Sequence, residues 1–167
     1  VDCRQGEARI VSPWEVEIRN GDSTETLTAR SIIIASGARP FVPPIPGIED
    51  MDILTSDNLW ELQEQPGRLV VLGGGPIGCE LAQTFARLGS QVTMLVRSRL
   101  LSSEDPALGD GLCAYLRGEG IDVCLDTTAS SIAHDGALFT VNVGDEALVA
   151  ERLLIATGRR PNTEVLR

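Results

Sequence analysis

Residues 68–96 read RLVVLGGGPIGCELAQTFARLGSQVTMLV, and this stretch decides the fold. Arg68–Leu72 is a short apolar run of the kind that forms a buried strand. Gly73-Gly74-Gly75-Pro76-Ile77-Gly78 follows it directly and fits the pattern G-x-G-x-x-G. Beyond it Ile77, Leu81, Phe85 and Leu88 recur at helical spacing, and Gly89 is a natural helix stop. Val92–Val96 then reads as a second strand. Strand, glycine loop, helix and strand together occupy 29 residues, the size of one βαβ unit. The residue types suit a pyrophosphate. Gly73 permits the tight turn out of the strand, Gly75 lets the backbone approach the ligand, and Gly78 lets the helix pack on the strand. The helix N-terminus adds unpaired N–H groups and a positive dipole. Gly73, Gly74, Gly75, Pro76, Ile77 and Gly78 are therefore the predicted dinucleotide loop.

The same pattern assigns a place to nucleotide choice. NAD-binding versions carry a carboxylate at the end of the second strand, about 20 residues beyond the loop, for the ribose 2′-hydroxyl. Here that place holds Val96, and Arg97-Ser98-Arg99 follows. The acid is gone and two guanidiniums stand in its stead, in a planar fork suited to phosphate. Arg97 and Arg99, with Ser98, are expected to hold the 2′-phosphate of NADP. The alternative is a solvated basic loop beside an NAD site.

Working outward, residues 32–40 (IIIASGARP) and 153–161 (LLIATGRRP) match in character, 121 positions apart. Each is read as a buried strand stopped by a glycine turn, with Pro barring extension. Two copies suggest the ends of two related nucleotide-binding units. Upstream of Ile32 only short strands are predicted, at 8–11, 14–19 and 24–28, with Asn20-Gly21 as a hairpin signal. No glycine-rich crossover precedes them, so the chain is expected to begin inside its first domain. Asp57 or Ser56 caps a predicted short helix through Leu62. Asp105-Pro106 opens a helix with an apolar face of Leu108, Leu112, Tyr115 and Leu116, ended by Gly118 and Gly120. A strand at 121–125, a meander over 128–133, 137–143 and 147–149, and a closing strand at 153–156 complete the expectation. The fold class is α/β: a Rossmann-like dinucleotide-binding domain at 67–167, a connector at 49–66, and a β-rich piece of a preceding domain at 1–48.

Composition narrows the function classes. The chain has 167 residues, 43% apolar and 23% charged, with a net charge of −10. Nucleic acid and anionic membrane are excluded as expected partners, since both need clustered positive charge. The four cysteines, Cys3, Cys79, Cys113 and Cys124, have no metal-ligand spacing and no dense framework. No metal site is expected, and Cys79, Cys113 and Cys124 are read as packing residues. His134, the one histidine, is expected in an exposed turn. No run of membrane-spanning length and no signal peptide pattern is seen, so a reduced, cytoplasmic setting is expected.

IIIASGARPFVPPIPG (32–47), VVLGGGPIGCELAQTFARLGSQVT (70–93) and LLIATGRRPN (153–162) together resemble the flavoprotein disulfide reductases, the class I pyridine nucleotide-disulfide oxidoreductases. That group includes dihydrolipoamide dehydrogenase, glutathione reductase and mercuric reductase. EDPALGD (104–110), LRGEGIDV (116–123) and SSIAHDG (130–136) are most similar to the mercuric reductase branch. The resemblance spans essentially the whole chain. It implies an intact enzyme that passes hydride from NADPH to FAD and works as a homodimer, with the remaining FAD domain and a dimerisation domain elsewhere in the same polypeptide. It implies that Glu80 lies where nicotinamide meets flavin, although a first-turn carboxylate also suits the helix dipole. It implies that Gly158 approaches the dinucleotide, and that Ser36 and Gly37 lie near FAD. The chain departs from the family in lacking the cysteine pair four residues apart, the FAD fingerprint and the C-terminal His-Glu pair. No catalytic residue is therefore expected within it. Two further readings stay open: an NAD-dependent dihydrolipoamide dehydrogenase-like enzyme, and a non-catalytic dinucleotide sensor.

Overall fold

The computed structural model describes residues 1–164 as two units, Val1–Gly37 and Ala38 onward. The predicted domain reaching 167 thus ends three residues outside the described part.

The first unit is an antiparallel meander of β1 (Glu7–Ser12), β2 (Glu15–Asn20) and β3 (Ser23–Thr28). Asn20 pairs with Ser23, so Gly21 and Asp22 are the two turn residues, and Gly21 supplies the required positive φ of 58°. The expected buried strand at Ile32–Ile34 does not form. Residues 31–37 carry no strand, and Ile33 is 89% exposed. An apolar run becomes a strand only where neighbours accept its backbone bonds, and no strand pairs with this one among the described residues.

The second unit begins with β4 (Ala38–Pro40) and a 3₁₀ turn at Leu59–Glu61. The crossover follows as predicted: β5 (Arg68–Leu72), α1 (Pro76–Leu88) and β6 (Gln91–Leu95). α2 (Pro106–Gly118) starts at Asp105, whose carboxylate accepts from the Ala107 N–H at 2.9 Å. β7 (Asp122–Cys124), the meander β8 (Ser131–His134), β9 (Phe139–Val143) and β10 (Glu146–Ala150), then β11 (Arg152–Ile155) and β12 (Arg159–Pro161) complete the unit. β11, β5, β6 and β7 lie in that order in one parallel sheet. On the other edge of β11, Leu54 bonds in parallel: its N–H donates to the Leu153 carbonyl and its carbonyl accepts from Ile155, both at 2.8 Å. Segment 49–66, read as a connector, thus contributes Leu54 and Leu59 to the core.

The sheet is buried on both faces. Leu69 and Val71 of β5 point to the layer of α1 and α2, while Val70 and Leu72 point to the meander side with Phe139 and Val141. Both helices bury a narrow seam with a glycine at its start: Gly78, Ala82 and Phe85 in α1, and Gly109, Cys113 and Leu116 in α2. The expected apolar faces hold for Phe85 and Leu116, with Leu81 and Leu112 packed at the edge of the core, and are corrected at three positions. Leu88, Leu108 and Tyr115 are 62%, 59% and 57% exposed. At 3.6 residues per turn they sit roughly 80–120° around from the seam's first glycine. At Gly78 and Gly109 a Cβ would meet the carbonyl oxygens of Gly73 and Leu100 at 2.5 and 2.4 Å, so glycine is what lets these helix starts pack so closely.

Candidate functional site

The site grows from the C-terminal ends of β5, β6 and β11. At Gly73 the chain leaves β5 with φ of +124°, and a Cβ there would lie 2.2 Å from the Ala156 carbonyl oxygen. Its N–H donates to the Leu95 carbonyl at 3.0 Å, tying the turn to β6. A Cβ on Gly74 would meet Val96 Cγ1 at 2.6 Å, and one on Gly78 would meet the Gly73 carbonyl at 2.5 Å. Gly75 differs from these three, because nothing lies within 4 Å of the place its Cβ would take. Gly75 is also the residue before α1, and no side chain caps that helix. Its first amides are left for a ligand above open backbone.

That open space belongs to a cleft of about 400 Å³. One wall is Gly73, Gly74, Gly75 and Ile77, with Ala156, Thr157 and Gly158 beside it. Arg97, Ser98, Arg99 and Ser102 form the rim beyond β6, and Pro40, Phe41, Pro43 and Ile45 face the loop. Thr157 Oγ1 donates to the Phe41 carbonyl at 2.7 Å, and Phe41 N–H donates to the Gly158 carbonyl at 2.9 Å, which fixes that opposite wall. Arg160 stacks its guanidinium 4.2 Å over the Phe41 ring.

The electrostatics are one-sided. Arg97, Arg99 and Arg159 line the cleft, and no Asp or Glu does so among the described residues, in a chain of net charge −10. The three arginines are not equivalent. Arg159 is engaged with Ser56 Oγ at 2.6 Å, with the Asp57 carboxylate at 3.0 Å, and with the Ala38 carbonyl. Arg99 is half-buried and donates to the carbonyls of Leu101, Ser102 and Glu104 at 3.3, 2.9 and 2.8 Å. Arg97 is exposed and has no hydrogen-bond or ion-pair partner among the described residues.

Of the sequence-predicted site residues, Gly73, Gly74, Gly75, Ile77, Arg97, Ser98, Arg99 and Gly158 line the cleft together. Pro76 and Gly78 stand behind it as the start and packing point of α1. Glu80 is an exposed residue of α1 and does not line it. Ser36 and Gly37 belong to the first unit, where Gly37 has φ of +73°. Sequence reading missed Phe41, Ser102, Thr127, Thr157 and Arg159, which also line the cleft. Arg159 and Thr157 sit inside the repeated motif, which was the available signal. Cys79 is buried, its thiol pushed up to about 11 chiefly by burial, and its Sγ donates to the Gly74 carbonyl at 3.6 Å. It is no nucleophile at neutral pH. His134 is exposed at the end of β8, its ring 4.4 Å from Phe139. No cluster of three metal-ligating side chains occurs among the described residues, and none of their helices is long and apolar enough to cross a membrane.

A parallel sheet crossed by α1, with a glycine turn opening into a cleft at the strand ends, defines a Rossmann-type dinucleotide-binding fold. Residues 1–167 match the pyridine nucleotide-disulphide oxidoreductase family, and the chain belongs to it. It is similar to the mercuric reductase of Acidithiobacillus ferrooxidans, with 42% identity over 97% of this chain and 30% of that protein. The mercuric reductase of Streptomyces lividans shares 45% over 91% of this chain and 33% of its own length. The chain thus spans about a third of the length of these curated relatives. Among solved structures, the HOCl-induced flavoprotein disulfide reductase RclA from Escherichia coli superposes with a TM-score of 0.80 and 35% identity, covering 97% of this chain and 37% of that one. An engineered water-forming NADPH oxidase bound to NADPH superposes at 0.72 with 26% identity, covering 91% and 36%.

Proposed function

We propose that this chain is the NADPH-binding part of an FAD-dependent, mercuric reductase-like oxidoreductase. Residues 67–167 form the nucleotide domain, and residues 1–48 the C-terminal part of an FAD-binding domain completed elsewhere in the polypeptide. Gly73–Gly78 hold the pyrophosphate, Gly158 borders the dinucleotide, and Ser36 and Gly37 lie toward FAD. The flavin supplies the redox chemistry by accepting hydride from NADPH. The residues present here bind and orient the nucleotide, with Glu80 toward the nicotinamide end.

One observation carries the choice of NADPH: a cleft without a carboxylate whose rim presents Arg97 free of any partner among the described residues. The engineered NADPH oxidase supports it. Three of its substitutions are consecutive and write Ala-Arg-Ser in place of Asp-Ala-Met, and this chain reads Val96-Arg97-Ser98. The same exchange, an acid lost and Arg-Ser gained, is what 2′-phosphate recognition asks of a βαβ site. The mercuric reductase relatives support mercuric ion as substrate of the intact enzyme, which is expected to be a cytoplasmic homodimer.

Calorimetric titration with NADPH and with NADH tests the reading. NADPH is expected to bind more tightly, and Arg97→Ala to remove about 1.5–3 kcal/mol of that preference, the worth of a charge-assisted bond. Equal binding of the two nucleotides by the unaltered chain would sink it. The isolated chain is expected to show no NADPH-dependent dye reduction, because its sequence carries no flavin-binding fingerprint.

A further inference from the structure

We infer that Arg99 does not bind the nucleotide but staples the loop at 97–104, so that Arg97, Ser98 and Ser102 stand ready for the 2′-phosphate. The inference rests on the NADPH reading above and divides the two arginines that the sequence treats alike.

The geometry assigns the division. Arg99 directs Nη1 to Leu101 and Nη2 to both Ser102 and Glu104, all backbone carbonyls. Three of the five guanidinium N–H donors are committed to carbonyls of its own loop, and those three reach a phosphate only by breaking these bonds, although Arg99 lines the cleft. Its Nη1 also lies 3.5 Å from the place where a Cβ on Gly109 would be, so the first half of α2 backs it. The loop it closes is unusual. Leu101 has φ of +47°, a conformation that a branched side chain holds only where its surroundings impose it. Three contacts impose it beside Arg99. The Leu101 N–H donates to the Gly74 carbonyl at 2.8 Å, the Glu104 N–H donates to the Leu101 carbonyl at 2.8 Å, and Leu100 is buried against Gly74. The loop is thereby latched to the pyrophosphate turn itself. What it presents to the cleft is complementary to a phosphate. Arg97, Ser98 and Ser102 line the cleft, and none of their side chains has a partner among the described residues. Ser102 is a cleft residue with a hydroxyl to offer that no sequence pattern pointed to.

The test uses the 167-residue chain and variants Arg97→Ala, Arg99→Ala, Arg99→Lys and the Ala double variant. Amide hydrogen exchange without nucleotide reads the staple. Arg99→Ala is expected to speed exchange at Leu101 and Glu104 by about tenfold or more, while Arg97→Ala leaves both unchanged. Arg99→Lys keeps the charge but cannot span three carbonyls, so it is expected to behave like Arg99→Ala and not to rescue. Titration with NADPH and NADH reads the consequence. Arg97→Ala is expected to cost roughly 10- to 100-fold in NADPH binding and little in NADH. Arg99→Ala is expected to weaken NADPH by about tenfold, and to change nucleotide discrimination no further once Arg97 is gone. Unchanged exchange in Arg99→Ala, rescue by Arg99→Lys, or equal losses from Arg99→Ala in both backgrounds would each overturn the staple. If the unaltered chain does not discriminate between the nucleotides, the NADPH reading falls, and exchange at Leu101 and Glu104 still decides what Arg99 does.

Discussion

The two copies of the repeated motif match in sequence character and both end in a short strand, yet their apolar halves differ in structure. In the second copy, Leu153 and Leu154 are fully buried and Ile155 is 2% exposed, in a strand flanked by β5 on one edge and Leu54 on the other. In the first copy, Ile33 and Ile34 are 89% and 55% exposed and form no strand. Both runs have the same branched, apolar character, so propensity does not separate them. Strand partners separate them. Leu154→Ala is expected to cost about 3–5 kcal/mol, because it opens a cavity where two sheet neighbours and α1 leave no room to relax. Ile33→Ala is expected to stay within about 0.5 kcal/mol, as for an exposed position. Urea denaturation of the two variants checks this, and comparable losses would mean that the first copy is buried after all.

The glycine turn sharpens the same contrast, since it is what holds the end of the second copy. A Cβ at Gly73 would strike the Ala156 carbonyl, and φ there is +124°. Gly73→Ala is expected to destabilise by about 2–3 kcal/mol through clash and left-handed strain together, and to abolish nucleotide binding. At Gly75, φ is −78° and the Cβ position is open. Gly75→Ala is therefore expected to keep the melting temperature within a degree or two and still to weaken nucleotide binding strongly. A Gly75→Ala variant that binds normally would show that no ligand approaches there.

The crossover from Arg68 to Val96 was readable because every decision in it is local: apolar strand, glycine turn, helical spacing, glycine stop. Inside the helices, Phe85 and Leu116 are buried as expected, and Leu81 and Leu112 pack against the core, but the outer members of the expected faces are not buried. Leu88, Leu108 and Tyr115 lie off the buried seams of Gly78, Ala82 and Phe85 and of Gly109, Cys113 and Leu116, which the neighbouring sheet and loops select. The far wall of the cleft was not legible, because Phe41 meets Thr157 across 116 residues and nothing near either residue announces the other. Arg99 was legible as a charge and not as a staple, since its acceptors are carbonyls and a side-chain pattern cannot show them. The repeat suggests the ends of two related nucleotide-binding units, and its tails pair with each other: Arg159 opposite Pro40, Arg160 opposite Arg39, and Pro161 opposite Ala38.

That pairing is where the two copies meet, and it yields the smallest of the expected effects. Arg39 of the first copy grips Glu164, three residues past the second, through Nη2–Oε1 at 2.6 Å and Nη1–Oε2 at 3.2 Å, and also donates to Asn162 Oδ1 at 3.1 Å. The Arg39 bond, with a backbone N–H bond behind it, holds the Glu164 carboxyl down at about 2, below its ordinary 4.5. A carboxyl depressed on folding favours the folded form above its ordinary range and loses that contribution as pH falls toward the lowered value. The clasp should therefore be intact at neutral pH and weaken between about pH 4.5 and 2. Both side chains are about half exposed, so salt should blunt the effect and global stability should hardly register it. A carboxyl-detected NMR titration of Glu164 is the right instrument, with Arg39→Ala expected to return the midpoint to the ordinary carboxylate range. An unaltered chain that already titrates there would show that β4 and β12 are held by their backbone ladder alone, and that the arginine following the first glycine adds nothing to the junction of the two copies.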